Sequence, residues 1–252
     1  MSVIWKNKYA TLAEPKEIFT VLIAAAGSGQ RLGGVYKPLA PLCGRPMLAY
    51  ALKAFQNSGF VRQIVVSAPE ERADEIRSLA DACGCTKLRR VTPGGETRAL
   101  SVVKAFRAAF DDKKAVTPFL AVHDAARPMV TEKIIDDVFF ACVKYGGAVA
   151  ATRVRDAVKR TGHDCMITEE VDRDGLWQIQ TPQAFDTDIF HTALAATEAE
   201  DAARAVDDGA LVINAGFRVM CVETGPANFK VTYPEDIAMA EAILKAREPI
   251  MV

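Results

Sequence analysis

Arg31 and Lys37 stand in "AAAGSGQRLGGVYKPL", residues 24–39, a glycine-studded segment directly behind the apolar run "IFTVLI". Two cations among glycines can hold a polyphosphate: backbone N–H groups approach its oxygens, an arginine clamps two of them, and a lysine adds a point charge. The segment fits neither of the two best-known phosphate loops. Gly27 and Gly29 give G-x-G, but Leu32 stands where the dinucleotide fingerprint needs its third glycine, and no acidic residue closes "RQIVVSA". A Walker A loop needs a hydroxyl residue after its lysine, and here Pro38 follows Lys37. Two readings stay open on spacing alone, a third kind of phosphate loop and a surface loop with solvated cations.

Further candidates lie downstream. In "VHDAARP", Asp124 and Arg127 follow the apolar run 119–122, at the carboxyl end of an expected strand, where ligand crevices of α/β sheets open. An aspartate there can take magnesium or a sugar hydroxyl, and the arginine a substrate phosphate; a structural salt bridge between the two is the competing view. His123 reads as a strand-end structural residue. "GGETRALSV" sets Gly94 and Gly95 before a helix, which suits either close backbone approach to a flat base or an ordinary turn. Lys230 lies just ahead of a last helix whose N-terminus favours an anion, and Thr232 and Glu235 have capping-box spacing. Asp156 and Arg160 are an even number apart, so on a strand they share a face opposite Lys159.

The elements that must position these residues are legible as a rhythm. Leu48, Ala51, Leu52 and Phe55 form a helical stripe; "RQIVVSA", a charged helix around 70–82, "KLRRVTP", the helix "TRALSVVKAFRAAF", "FLAVHD" and the helix "EKIIDDVFFACVKY" follow in alternation. This order predicts an α/β fold, Rossmann-like and three-layered, with a mostly parallel sheet between helices. After "GGAVAATRV" the rhythm breaks: residues 152–185 read as extended chain, predicting a β-arm projecting from a single domain that spans the whole chain. A helix near 186–198, "ALVINAG", "RVMCVE" and a final helix with Ile237, Ala240 and Leu244 on one face complete the chain.

Of 252 residues, half are apolar and a quarter charged, and the net charge is -1. That balance excludes a global attraction for nucleic acid or anionic lipid, so an anionic ligand must be held by local cations. Six cysteines without a C-x-x-C motif and three scattered histidines disfavour a zinc site or disulfide framework and suit a reducing cytoplasm. No apolar run reaches a membrane span, and residues 1–19 lack a signal-peptide core.

The motifs A-A-G-x-G-x-R, K-P-L and G-x-P-M-L resemble the signature of sugar-phosphate nucleotidyltransferases. With "GGETRALSV", "VHDAARP", "VRDAVKR", "DRDGLWQIQTPQAF" and "NFKVTYPED" in this order, the chain resembles the 2-C-methyl-D-erythritol 4-phosphate cytidylyltransferase family over roughly residues 20–245. The resemblance implies a magnesium-dependent enzyme that transfers a cytidylyl group from CTP, with Arg31 and Lys37 stabilising the transition state. It further implies that Ala25, Ala26, Gly27, Gly29, Gly95, Glu96, Arg98 and Ser101 bind the nucleotide. Asp124, Arg127, Arg160 and Lys230 would bind the acceptor, Asp124 also the metal, and Thr181 and Gln183 would organise the chain near the site. The arm would join a homodimer and carry Arg160 into the neighbour's site. Two departures stand out: Tyr36 replaces the family's proline in a loop one residue short, and Val206 replaces a threonine in T-D-E. Three other readings stay in play: a ribitol 5-phosphate cytidylyltransferase as the nearest rival, a non-catalytic nucleotide-binding module motivated by these departures, and a dehydrogenase.

Overall fold

The computed structural model describes residues 16–27, 36–110, 117–197 and 206–247. Gly29 and Arg31 lie outside the described residues. Strand β1 (Phe19–Ala24) is an interior strand of a sheet that has seven strands among the described residues. Its neighbours on one side are β4 (Val61–Ala68) and β5 (Leu88–Pro93), and on the other β6 (Phe119–Asp124), all parallel to it. Next comes β10 (Trp177–Asp186), antiparallel to both β6 and β7 (Gly147–Arg153), and then β11 (Met220–Glu223), parallel to β7. Strand order is therefore β11-β7-β10-β6-β1-β4-β5, with one reversed strand.

Period-two alternation explains why the sheet is covered on both faces. Phe19, Val21 and Ile23 of β1 point to one core, and Leu22 to the other. The first core receives Leu48, Ala51, Leu52 and Phe55 of α1 (Met47–Asn57), Ile76 of α2 (Ala73–Ala82), and Ile135 and Phe139 of α4 (Glu132–Tyr145). The second receives Val102 and Phe106 of α3 (Arg98–Phe110), Phe190 of α5 (Thr187–Ala196), and Leu211 of α6 (Asp208–Asn214). These are the three layers expected from the alternation. A third, smaller core packs Ala240, Ile237 and Leu244 of α7 (Pro234–Arg247) against Leu42 and Met47, beside the short hairpin β2 (Pro41–Leu42) and β3 (Arg45–Pro46).

Two local expectations need correction. Thr232 and Glu235 do not form the cap of α7; Asp236 does, its carboxylate accepting from the backbone N–H groups of Thr232 and Tyr233 at 2.7 and 2.9 Å. An aspartate one residue further along reaches the open N–H groups that the longer glutamate was expected to serve. The projecting arm is also shorter than 152–185. Arg153 and Trp177 still pair within the main sheet, so the arm proper is the hairpin β8 (Val158–Thr161) and β9 (Ile167–Val171) with its connections. Asp156 sits in the bend before β8, so it has no strand face to share with Arg160.

Candidate active site

The carboxyl ends of β1 and β6, with the loop after β5, open on one cavity of about 420 Å³, within the size range of small-molecule sites of roughly 300–1,000 Å³. Ala24, Ala25, Ala26 and Gly27 enter it from β1, and Asp124, Ala125 and Ala126 from β6. Gly95, Glu96, Thr97, Arg98 and Ser101 come from the β5–α3 connection and the start of α3. Lys37, Pro38 and Lys230 complete the wall. A second hollow of about 930 Å³, between α3 and α5, is lined by Leu100, Phe106, Phe110 and Leu194 with Lys104 and Arg107, and shares only Gly95 and Glu96 with the cavity at the strand ends. Chemistry favours the smaller one.

Charge is concentrated on its floor. The Asp124 carboxylate receives Arg98 Nε at 2.7 Å and Lys230 Nζ at 2.9 Å, with Arg127 Nε at 3.7 Å. Burial pushes this carboxyl up, but Arg98, Lys230 and Arg127 together outweigh it and hold the group well below the usual range. Arg98 also donates to Asp208 at 2.8 Å and so bridges two buried acids. Among the described residues Arg98 is the one cation paired with Asp208, and burial pushes this carboxyl up against its pull. Lys37 donates from Nζ to the carbonyls of Val231 and Thr232 at 3.4 and 2.9 Å, which aims its ammonium along the cavity wall.

A polar scaffold lies beneath. Thr181 Oγ1 accepts from the Asp124 N–H at 3.0 Å and lies 3.1 Å from His123 Nδ1, while His123 Nε2 lies 3.3 Å from the Arg127 carbonyl. A carbonyl only accepts, so Nε2 carries the proton and Nδ1 accepts from the threonine hydroxyl. Gln183 accepts from the Gly209 N–H at 2.8 Å and donates to the Gln180 carbonyl, which ties α6 and hence Asp208 to β10. Burial drives the His123 imidazole down to about 3, so it stays neutral. The unfolded chain takes up this proton below about pH 6.5, whereas the folded one does so only near 3. Stability from this group is therefore full above about 6.5 and falls as pH falls through the window. Between pH 7 and pH 5 we expect a loss of about 2 kcal/mol attributable to His123. Denaturant titrations at both pH values should show that His123→Asn removes this part of the pH dependence; an unchanged dependence would contradict the assignment.

The turn after β5 is tightly fitted. Ser101 Oγ accepts from the Gly95 N–H at 2.9 Å and Lys104 Nζ donates to the Gly94 carbonyl at 2.7 Å. A Cβ at Gly94 would lie 2.2 Å from Ala26 Cβ, so the ends of β1 and β5 touch there. Gly94→Ala must move backbone rather than a flexible side chain, and we expect it to cost about 2 kcal/mol of stability. Chemical denaturation measures this directly, and a neutral Gly94→Ala would show that the two strand ends are not held together.

The cavity thus gathers Ala25, Ala26, Gly27, Lys37, Gly95, Glu96, Ser101, Asp124 and Lys230 from the sequence expectations. Arg127 is placed differently. It is buried below the floor, donating to the carbonyls of Asn228 at 2.9 Å and Ile179 at 3.4 Å, and does not line the cavity. Arg160 lies on the exposed arm, paired with Glu169 at 2.7 Å, and within one chain it does not reach the cavity. Asp208 was missed as a partner of Arg98; only its place beside Asp207 in the T-D-E-like segment could have signalled it. Among the described residues, no group of three or more His, Cys, Asp or Glu side chains could hold a metal ion, and no helix is long and apolar enough to cross a membrane.

A layered α/β sheet with a cationic cavity beyond its parallel strand ends is an architecture that can hold a phosphate-bearing ligand. The sequence model of the family IspD, 2-C-methyl-D-erythritol 4-phosphate cytidylyltransferase, matches residues 19–246, and the chain belongs to that family. Among its relatives, the 2-C-methyl-D-erythritol 4-phosphate cytidylyltransferase of Ralstonia nicotianae is 39% identical over 90% of this chain and 92% of its own. That of Halalkalibacterium halodurans is 35% identical over 91% and 98%. The solved structure of the Thermus thermophilus enzyme superposes with a TM-score of 0.70 at 30% identity, covering 90% of this chain and 98% of that one.

Proposed function

We propose that the protein transfers the cytidylyl group of CTP to 2-C-methyl-D-erythritol 4-phosphate, releasing pyrophosphate, as a step of non-mevalonate isoprenoid biosynthesis. The observation that carries this reading is the convergence of Lys37, Arg98 and Lys230 with the Gly95–Ser101 turn around buried Asp124, in a chain of this family. An acceptor phosphate oxygen attacks the α-phosphorus of CTP, the bond from that phosphorus to the bridging oxygen breaks, and pyrophosphate leaves with the electron pair. The nucleophile is already anionic, so no histidine base or covalent serine is needed; the protein positions two anions and neutralises growing charge. Lys37, with Arg31 from the preceding loop, serves the triphosphate. The turn at Gly95, Glu96 and Ser101 receives cytosine, and Ala25, Ala26, Gly27 and Gly29 give the phosphates access to backbone N–H groups.

Magnesium suits this site as an ion held largely by substrate. It usually keeps waters and takes one or two carboxylates plus phosphate oxygens rather than an all-protein cage. Asp124 is the buried carboxylate the cavity offers, and its partners Arg98 and Lys230 leave it ionised. When bound, the ion would supply charge neutralisation at the phosphates. Lys230 and, through the floor, Arg127 serve the acceptor phosphate. Arg160 serves it from a second subunit, reached by the arm in a homodimer. Sedimentation at micromolar protein should give a dimer, and a monomer with full activity would remove that role from Arg160. Six thiols without a disulfide fit a reducing cytoplasm.

The acceptor is tested by pyrophosphate release from CTP and magnesium with each alcohol phosphate in turn. Turnover is expected with 2-C-methyl-D-erythritol 4-phosphate. Val206, 91% exposed where the family carries threonine, makes ribitol 5-phosphate the competitor to include. Release with ribitol 5-phosphate alone would reassign the substrate, and release with neither would leave a nucleotide-binding module.

A further inference from the structure

Tyr36 touches the site from behind, through the backbone just past β1. Tyr36 directly precedes Lys37, near the C-terminal end of the glycine-studded segment 24–39. Its hydroxyl donates to the Ala25 carbonyl at 2.8 Å, at the mouth of β1. Burial pushes the phenol up, so it is a proton donor at any working pH. The Arg72 guanidinium lies 5.7 Å from the ring centroid and is itself held by Glu75 at 2.7 Å. From Tyr36 onward the backbone is stiff: the Leu39 and Ala40 N–H groups donate to the Tyr36 and Lys37 carbonyls, closing a single turn that contains Pro38. A displacement of Tyr36 is thereby transmitted to Lys37. Tyr36 itself does not line the cavity; Lys37 and Pro38 do.

We propose that Tyr36 is a positioning residue that clamps the two ends of the phosphate loop through Ala25 and so fixes Lys37 on the Val231 and Thr232 carbonyls. The proposal rests on the reading of Lys37 as a cation for the CTP phosphates. It also accounts for a loop that is short and lacks proline before its lysine: the tyrosine replaces the rigidity of a ring in the backbone with a side-chain hydrogen bond across the loop.

The test is a double-mutant cycle of Tyr36→Phe and Lys37→Ala, read as kcat/KM for CTP at saturating acceptor, with residual rates of the Lys37→Ala proteins measured at high enzyme. Tyr36→Phe keeps the ring and its contact with Arg72, and should lower kcat/KM for CTP about tenfold while Lys37 is present. With alanine at 37 the same change should cost less than twofold, and KM for the acceptor should stay within twofold in both backgrounds. A Tyr36→Phe effect below twofold with lysine at 37, or an equal fall in both backgrounds, overturns the positioning role while leaving Lys37 its function. If Lys37→Ala alone changes nothing, the reading of Lys37 fails and the inference falls with it.

Discussion

Lys37→Ala should lower kcat/KM for CTP by about 10³, with little loss of folded protein. The size follows from the chemistry. A preorganised cation aimed at a phosphate whose charge is moving contributes most at the transition state, and removal of one such donor costs roughly 10²–10³ in rate. The small effect on folding follows from position. Lys37 is half-buried and lines the cavity, and the carbonyls of Val231 and Thr232 that accept from its ammonium can take water from the cavity once the side chain is gone. Lys37→Arg should recover little, because a planar guanidinium cannot take the place of a compact ammonium between two carbonyls. Steady-state pyrophosphate release with varied CTP decides this; full turnover by Lys37→Ala would remove the lysine from the reaction.

Arg98→Met should be the most damaging change for stability, at about 3–5 kcal/mol. Arg98 is the bridge between Asp124 and Asp208, and only Asp124 keeps other cations when it goes. Asp208 is 5% exposed and would be left as a buried carboxylate with no counter-charge among the described residues. Its folded-state affinity for a proton, already raised, would rise further. A raised carboxyl lowers stability as pH climbs through its folded value and does no harm below the unfolded one, so the deficit should be larger at pH 7 than at pH 5. Asp124 contributes in the opposite sense: its lowered value means its stabilisation is present above the unfolded carboxyl range and lost only in stronger acid. Adding Asp208→Asn should return a substantial part of the lost stability. Denaturant unfolding of the single and double variants at both pH values checks this, and a double variant no more stable than Arg98→Met would show that the deficit does not come from Asp208.

What could be read in the chain depended on whether the determinant was local. The strand and helix rhythm rests on periodicities of two and 3.6 residues, so β1, β6, α1 and α4 were legible, as was the placing of Asp124 at a strand end. Sequence spacing could not show that Arg98 bridges Asp124 and Asp208, because Asp208 lies 110 residues away along the chain. Nor could it separate the two fates of "HDAARP": one motif sends Asp124 into the cavity and Arg127 beneath it, where it holds carbonyls of Asn228 and Ile179. The arm was read too long for a related reason. Alternating extended residues look the same whether they pair in the main sheet, as Trp177 does with Arg153, or only with each other, as Val158 does with Val171.

The reversed strand β10 settles where the arm is rooted. Strand β7 runs toward the cavity end of the sheet and β10 runs away from it, so the chain joining them must turn round at that end. The hairpin of β8 and β9 is carried on this turn. Had β10 run parallel to its neighbours, the connection would have had to run back along the sheet and begin again at its opposite end. A single change of strand direction therefore works as an anchoring rule: the root of the hairpin lies at the same end of the sheet as the cavity.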